Sequence, residues 1–197
     1  MSPLTNEEKL FLLRLARQTL EARLGSSAEP SLAADPSKIP APLREPAGIF
    51  VSLHSGGELR GCVGFIEPRL ALYRAVMETT VGAAFQDPRF SPLRAAELRA
   101  LDIEISVLSE CRPILPDHIQ IGVHGLLVAQ GRARGLLLPQ VAVERHWSPE
   151  RFLEETCRKA GLPLDAWRKG ARLEAFQAQV FGEKSLEETR LAGPPLL

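Results

Sequence analysis

The segment Gly48–Phe65 places the strongest constraint on how this chain can fold. Residues 48–54 have the apolar and β-branched character of a strand, and residues 58–65 are typical of a second strand. Between them, Ser55–Gly57 ends in two glycines, which can adopt the left-handed backbone of a tight turn. The segment therefore predicts an antiparallel β-hairpin.

Helices and further strands surround this hairpin in the sequence. Thr5 and Glu8 form a capping-box pattern, and leucines at helical spacing predict a helix from about residue 6 to 24. Strands are predicted at 101–107, 119–123, 125–130, 135–138 and about 171–180, and helices at 70–85, at 148–160 and, as a short one, from Ser91–Pro92. Hairpins with interspersed helices predict an α+β fold, mainly an antiparallel sheet with flanking helices, and not a parallel doubly wound sheet.

The length bounds the domain organisation. A chain of 197 residues can form one sizeable domain or two small lobes on a shared core, and we predict a single domain over residues 1–197. Residues 26–47 are rich in proline and predict a long irregular connection on the surface. Residues 183–197 are charged and then proline-rich, which predicts a tail that frays at its end.

Composition and charge exclude several classes of protein. Lysine plus arginine and aspartate plus glutamate both number 24, so bulk charge does not favour nucleic acid or an anionic membrane as the main partner. Aromatic residues make up 6%, too few for an extended base-stacking platform. Three cysteines without a CxxC pair indicate neither a disulfide framework nor a structural zinc site. With no signal-peptide pattern and no apolar run near the roughly 20 residues of a membrane span, a reduced, cytoplasmic protein without membrane attachment is the simplest interpretation.

The most unusual segment surrounds Cys62. Glycine weakens the interior of a strand, so Gly61 and Gly64 on either side of the thiol need a cause. One cause is the close approach of another strand or a helix, with Cys62 as a small buried hydrophobe. The other is a ligand that approaches the backbone, with Arg60 as an anion contact or as the positive charge that stabilises a thiolate. In a regular strand Arg60 and Cys62 share a face, as the second interpretation requires.

Two further candidates follow at residues 85–104. Asp87 and Arg89 flank a proline, and this fixed turn could hold an ion pair or present both groups at the edge of a ligand site. Alternatively, the proline locks a loop whose core anchor is Phe90. Glu104 lies on the polar face of the strand predicted at 101–107. It is either a carboxylate of a ligand site or a solvated surface residue.

The sequence identifies no cofactor and no metal site. Its histidines have no pairing at i+2 to i+4 that would make a local metal clip; they are His54, His118, His124 and His146. Walker, Rossmann and nucleophile-elbow patterns are also missing from the sequence. His124, at a turn before a predicted strand, is the most plausible histidine of a site, and a pairing between a histidine and Cys62 stays open.

Residues 131–172 carry an excess of positive charge. They include nine lysines and arginines against five acidic residues, an excess of four. This excess could contact phosphates or an acidic protein. It could also be a solvated surface with local ion pairs, which is the interpretation that we favour.

The chain resembles the AMMECR domain family. The resemblance is carried by LRGCVGFIEP at 59–68, AAFQDPRFSPL at 83–93, EL at 97–98, IEISVL at 103–108, GVHGLLV at 122–128, LLLPQVAVERHW at 136–147 and FLEETCRKAGLPLDAW at 152–167. It covers about residues 5–182. Val63 stands where the family usually has isoleucine, and Phe65 where threonine or serine is common. The chain looks like the stand-alone prokaryotic form of the family, the form associated with the AmmeMemoRadiSam system.

This resemblance implies an α+β fold with a larger and a smaller lobe around a cleft, and it implies that the LRGC segment lies near that cleft. It also implies an association, at least genetic, with a MEMO-type protein and a radical-SAM protein. It attaches no established activity, because a shared fold does not define a reaction.

Two functions of different classes follow. In the first, the protein binds or transforms a small ligand, with Cys62 as nucleophile or thiol acceptor and Arg60 as anion clamp. Glu104 or His124 is the general acid–base group, and the remaining predicted ligand contacts are Gly61, Gly64, Asp87 and Arg89. In the second, a non-enzymatic partner of MEMO-type and radical-SAM proteins presents the basic residues at 131–172, or the edge of the hairpin, to protein or RNA.

Overall fold

The computed structural model describes residues 2–25 and 35–186, and contacts between residues divide the chain into two compact units. Unit 1 comprises Met1–Val107 and Gln179–Leu197, and unit 2 comprises Leu108–Ala178. Each unit contains one four-stranded sheet, and antiparallel sheets with several helices confirm the predicted α+β class. Residues 187–197 of the predicted tail and residues 26–34 of the predicted connection lie outside the described residues.

The elements follow one another in a mixed order of helices and strands. The helices are α1 (Asn6–Arg23), α2 (Leu72–Phe85), α3 (Pro139–Glu144) and α4 (Pro149–Lys159). The strands are β1 (Gly48–Ser55), β2 (Glu58–Phe65), β3 (Leu101–Leu108), β4 (Arg112–Pro113), β5 (Gly125–Gln130), β6 (Ala133–Leu137), β7 (Arg172–Phe176) and β8 (Ala178–Gly182). The strand order is β2-β1-β3-β8 in unit 1 and β4-β7-β5-β6 in unit 2.

The core of unit 1 is formed by helices α1 and α2 together with one face of the sheet. The capping box that starts α1 is confirmed: the Thr5 hydroxyl accepts a hydrogen bond from the Glu8 N–H, and the Glu8 carboxylate accepts one from the Thr5 N–H. Alternate residues of β1 and β3 are buried in a single cluster with residues of both helices; they are Ile49, Val51, Leu53, Leu101, Ile103 and Ile105. Their neighbours in the strands therefore point to the opposite face of the sheet.

Unit 2 is built around the β5–β6 hairpin and helix α4. Strand β5 pairs with β6 on one side and with β7 on the other, both antiparallel. Helix α4 begins as predicted, with the Ser148 hydroxyl accepting a hydrogen bond from the Arg151 N–H. Phe152 of this helix is fully buried against Leu126 of β5 and their neighbours.

The strand predicted at 119–123 is wrong. Ile119 is preceded by a short 3-10 helix, and Gly122 has a φ of 82°, outside the extended region that a strand requires. The N–H of Val123 donates to the carbonyl of Gln120 at 3.2 Å, which closes a turn in front of β5.

Two other element predictions also need correction. The single strand predicted at about 171–180 is two strands, β7 and β8, which belong to the sheets of different units. The short helix predicted from Ser91–Pro92 is a 3-10 helix that begins later, at Ala95, and ends at Ala100. Strand β4 and helix α3 were not predicted, since two residues of strand and six of helix are too short to show a period.

Candidate functional site

A bulge interrupts the hairpin beside Cys62. Close to the turn His54 pairs with Leu59, whereas further along Ser52 pairs with Cys62. Strand β2 therefore carries one extra residue, Arg60, between these pairs, which is the pattern of a β-bulge. A shared face for Arg60 and Cys62 is predicted only for a regular strand, and the bulge at Arg60 removes that condition.

The bulge determines which face of the sheet carries the thiol. If the pairing of His54 with Leu59 continued regularly, Cys62 would lie opposite Val51, which is fully buried in the core. One extra residue shifts the register, and in a strand a shift of one residue exchanges the two faces. Cys62 instead lies opposite Ser52, whose hydroxyl donates a hydrogen bond to the Cys62 Sγ at 3.3 Å. The thiol is half-buried.

The two glycines beside Cys62 are sites of close packing. A Cβ on Gly61 would clash with the backbone carbonyl of Ala83 in helix α2, at a separation well under 3.0 Å. A Cβ on Gly64 would clash equally with the ring of Phe50 and with the carbonyl of Ile49 in β1. The close approach of a helix and a strand, the first of the two causes predicted for these glycines, accounts for both of them.

Asp87 and Arg89 hold the backbone of Cys62 at the outer edge of the sheet. The Asp87 Oδ2 accepts a hydrogen bond from the Cys62 N–H at 2.9 Å, and the Arg89 Nη2 donates to the Cys62 carbonyl at 3.4 Å. The same two side chains form an ion pair with an Nη2–Oδ2 distance of 2.7 Å. Strand β2 is an edge strand of the sheet. Asp87 and Arg89 therefore bind the Cys62 N–H and carbonyl that a further strand would otherwise pair with.

Arg60 is committed to a different carboxylate. Its Nε donates to Glu97 Oε1 at 2.9 Å, and its Nη2 donates to the Ser91 carbonyl at 2.9 Å. The pair joins the bulge of β2 to the 3-10 helix Ala95–Ala100. Arg60 therefore fixes the segment that follows the Asp87 turn.

Phe90 lies between the two arginines. The guanidinium carbon of Arg60 lies 5.9 Å from the centre of the Phe90 ring, and that of Arg89 lies 5.4 Å from it. Both are cation–π distances. Phe90 is half-buried and is not part of the core cluster, so the prediction that it anchors the loop in the core is wrong.

The electrostatics of this network keep its carboxyl groups ionised. Hydrogen bonds from the Arg89 guanidinium hold the pKa of Asp87 far below its usual range, although burial opposes this, and the Cys62 N–H lowers the pKa further. Hydrogen bonding to Arg60 lowers the pKa of Glu97 to about 2, and the Arg94 N–H contributes to the same shift. By contrast, burial raises the pKa of the Cys111 and Cys157 thiols.

The sheet face that carries Cys62 also carries His54 and Glu104. His54 is two residues from Ser52 in β1, and Glu104 alternates with the buried Ile103 and Ile105 in β3, so both point away from the core. We call Ser52, His54, Cys62 and Glu104 the thiol face. The Nε2 of His54 is buried, and no described residue forms a hydrogen bond with it.

The structure thus groups most of the predicted site residues within unit 1. Asp87 and Arg89 contact the Cys62 backbone, and Glu104 lies on the same sheet face as its thiol. His124 belongs to unit 2, where its Nδ1 accepts a hydrogen bond from the Gln120 N–H at 3.1 Å.

Three residues of this region were missed in the sequence: Ser52, His54 and Glu97. The alternation of residues 48–54 indicates that Ser52 and His54 share a face. Only the bulge, however, brings Cys62 to that face. The partnership of Glu97 with Arg60 has no local signal, because 37 positions separate the two residues.

Most basic side chains at 131–172 are paired with nearby acids. At least five of the nine form ion pairs: Arg151 with Glu154 and Glu155, Arg158 with Glu155, Arg168 with Glu150, Lys169 with Asp165, and Arg172 with Glu174. This pairing supports the interpretation of a solvated surface with local ion pairs.

The described part of the chain shows neither a metal-ligand cluster nor a membrane-spanning helix. Over residues 2–25 and 35–186, His, Cys, Asp and Glu side chains form no group of three or more that could hold a metal ion. No helix within these ranges is both long and apolar enough to cross a membrane.

The fold and the candidate site together define the class of the protein. It is an α+β protein with two antiparallel sheets and a half-buried cysteine on an outer strand. The AMMECR1 family model matches residues 13–181, and the chain belongs to this family. The predicted family is thereby confirmed.

Relatives of the chain are found among archaeal proteins. A protein of Thermofilum pendens is 43% identical over 203 residues, with 93% of each chain covered. One of Methanothermobacter thermautotrophicus is 43% identical over 190 residues, covering 92% of this chain and 97% of that protein. The crystal structure of an uncharacterised protein from Pyrococcus horikoshii matches with a TM-score of 0.83 and 38% identity, over 92% of this chain and 94% of that one.

Proposed function

We propose that the protein binds a small electrophilic ligand at the thiol face and reacts with it through Cys62. The observation that carries this proposal is the combination of a half-buried thiol with a buried histidine nitrogen on the same face. No described residue forms a hydrogen bond with the Nε2 of His54, although a buried polar atom usually has a partner. The Cys62 thiol is not that partner in this structure, and a ligand that enters beside His54 can supply it.

The register supports the pairing of His54 with Cys62 in this proposal. Ser52 pairs directly with Cys62, and His54 is the diagonal neighbour along the same face. Diagonal neighbours across two strands are about 7–8 Å apart, which long side chains can bridge. With its proton on Nδ1, His54 offers Nε2 as the base for the thiol proton.

The reaction class that this arrangement supports is acyl transfer to sulfur. The proton of Cys62 passes to Nε2 of His54, and the sulfur electron pair forms a bond to the carbonyl carbon of the ligand. The leaving group departs with the electron pair of the broken bond and takes the proton back from His54. Asp87 and Arg89 act as positioning residues, because they hold the Cys62 peptide and do not touch its sulfur.

Alkylation of the native protein by iodoacetamide between about pH 5 and 9 tests the proposal, with each cysteine followed by peptide mass spectrometry. Cys62 is expected to react first. Cys157, which is fully buried, and Cys111, whose pKa is raised by burial, serve as internal controls. If Cys62 reacts only after unfolding, it is a packing residue and the proposal fails.

Two histidine variants separate the role of His54 from that of the thiol alone. His54→Gln is expected to slow alkylation of Cys62 near neutral pH by about tenfold, since a general base is lost. His118→Gln, in the exposed 3-10 helix Pro116–His118, is the matched control and should leave the rate unchanged. An unchanged rate in His54→Gln would remove the base from the mechanism.

A second candidate function is that of a non-enzymatic partner of a MEMO-type or radical-SAM protein. It is favoured by exposed apolar residues in unit 2, where Leu115 is 63% and Val143 is 50% exposed. A packed apolar contact would keep its affinity when salt is raised from about 50 to 500 mM, whereas phosphate contacts of an RNA would lose it steeply. Titration of purified candidate partners at both salt concentrations distinguishes these outcomes.

A further inference from the structure

A cavity of about 640 Å³ opens in unit 1 beside helix α1. Its volume lies within the range of small-molecule sites. Its lining contains residues of α1, of the segment that leads into β3, and of the segment that follows β8. None of the residues of the thiol face or of the network around Cys62 lines this cavity. The cavity and the thiol face are both in unit 1, but they are formed by different residues.

Helix α1 presents a mixed apolar and basic stripe to this cavity. Leu10, Leu13, Arg14 and Arg17 line it and recur at the spacing of one helix face. Leu101 and Leu186 add apolar surface from the other segments. The cavity therefore offers both apolar contacts and guanidinium groups to a ligand.

Two of the charged groups in the lining serve to hold the wall together. Arg17 forms an ion pair with Glu183 and donates to the carbonyls of Leu98 at 2.7 Å and Leu101 at 2.9 Å. The Glu183 carboxylate also accepts a hydrogen bond from the Ile103 N–H at 3.0 Å. These bonds satisfy both groups, so neither is available to a ligand.

Arg14 and Arg99 differ from Arg17, because they form no such ion pair or hydrogen bond within the described residues. Both are exposed in the cavity lining, and within residues 2–25 and 35–186 no side chain or carbonyl forms an ion pair or hydrogen bond with either of them. Lys184 is a further cation, paired with Asp102 at 3.6 Å. With Arg17 included, four cations and two carboxylates line the cavity, an excess of two positive charges.

We propose that this cavity binds a small organic phosphate, a phosphate monoester on a compact apolar body. The phosphate accepts hydrogen bonds from Arg14 and Arg99, whose planar guanidinium groups match pairs of phosphate oxygens. A monoester carries close to two negative charges at neutral pH, which balances the excess charge of the lining. The apolar body lies against the leucines of α1 and β3.

Isothermal titration calorimetry with three probes tests the chemistry of the ligand. Phenyl phosphate carries both parts, inorganic phosphate lacks the apolar body, and benzyl alcohol lacks the charge. Phenyl phosphate is expected to bind at least about tenfold more tightly than either of the others. If no probe binds, or if inorganic phosphate binds as tightly as phenyl phosphate, the proposal is overturned.

Three arginine variants locate the binding. Arg14→Gln and Arg99→Gln are each expected to weaken the binding of phenyl phosphate about five- to tenfold, since each removes a charged donor. Arg23→Gln, at an exposed position of α1 outside the cavity, is the control and should bind like the wild type. Equal affinity in all three variants would place the ligand elsewhere and overturn the proposal. Circular dichroism checks that each variant is folded.

Discussion

At Gly61 strand β2 and helix α2 approach so closely that no side chain fits between them. A Cβ at this position would clash with the Ala83 carbonyl, which belongs to the backbone and cannot rotate away as a side chain can. We expect Gly61→Ala to lower the free energy of unfolding by about 2–3 kcal/mol, the upper part of the range for overpacking. Urea unfolding followed by circular dichroism measures this loss.

Gly182→Ala is the matched control for the close approach. Gly182 is also a strand glycine in unit 1, but a Cβ there would have its nearest neighbour, the Ile103 carbonyl, at 3.3 Å. A small shift relieves that contact, so a loss below about 1 kcal/mol is expected. If both variants lose the same stability, the clash with α2 is not the cause of the loss at Gly61.

The sequence identifies Cys62 as a candidate site residue but not its neighbours Ser52 and His54. The glycines on either side made the segment stand out in the sequence, and their cause is a close approach of backbone to Gly61 and of a ring to Gly64. Ser52 and His54 carry no such mark, since single polar residues in a strand are usually solvated. Their importance depends on which residue faces them across the hairpin.

At the scale of elements, the bulge and the Arg60–Glu97 pair act together. The bulge places Arg60 outside the regular pairing of β1 and β2. Its guanidinium donates a hydrogen bond to the carboxylate of Glu97 in the 3-10 helix Ala95–Ala100. Both side chains are largely buried, with 16% and 25% of their surface exposed. The pair therefore links the outer strand of the sheet to the segment that carries Asp87 and Phe90.

This pair predicts how stability changes with pH. The pKa of Glu97 falls from 4.5 to about 2 on folding, so the ionised carboxylate stabilises the fold above pH 4.5. That contribution is lost as the pH falls from 4.5 toward 2. Glu97→Gln should be less stable than the wild type at neutral pH and should lose less additional stability on acidification to about pH 3. Urea unfolding at both pH values measures the difference.

Glu58→Gln, an exposed position in the same outer strand, is the control for the pH experiment. It should retain the stability of the wild type at neutral pH and its loss on acidification. Asp87 adds a second contribution of the same sign, which is lost at lower pH because its pKa is depressed further. An acid response in Glu97→Gln that equals that of the wild type would show that the ion pair does not stabilise the folded state.

At the scale of the whole molecule, the two units differ in how the sequence builds them. Unit 2 is continuous, and its sheet and hydrophobic clusters all lie within Leu108–Ala178. Unit 1 is discontinuous: strand β8 completes its sheet, and Phe181 completes its core from the far end of the chain. Glu183 then anchors Arg17 of the first helix.

This arrangement predicts different behaviour for two fragments. A fragment of residues 108–178 is expected to unfold cooperatively on heating, since it keeps every strand of its sheet. A fragment of residues 1–107 is expected to lack a cooperative transition, because it exposes β3 and leaves Arg17 without its carboxylate. Thermal scans by circular dichroism distinguish the two outcomes.

The control for the fragment experiment restores the missing strand. Strands β3 and β8 are neighbours in the sheet, so a short glycine linker can join residue 107 to residue 179. This joined chain should regain a cooperative transition that fragment 1–107 lacks. Cooperative unfolding of fragment 1–107 by itself would show that β8 is not needed for the core of unit 1.

The sequence by itself determined the longer and well-capped elements, the α+β class and the family. The hairpin with its Gly-Gly turn, the capped helix α1 and helix α4 have periods and end signals that act over a few residues, so each could be read locally. The segment at 171–180 also has strand character throughout. The sequence does not show that Gln177 divides it between two sheets, because that division depends on which strands pair with each half.

The arrangement of residues around Cys62 depends on the tertiary structure alone. One extra residue in β2 turns Cys62 from the core face to the face of Ser52 and His54, and a sequence pattern of period two cannot show where such a residue is inserted. Contacts distant in sequence complete the rest, such as Arg60 with Glu97 and Arg17 with Glu183 across 166 positions. The physical reason is that strand register and long-range charge pairing are set by packing the whole fold, whereas the period of an element is set by its own backbone.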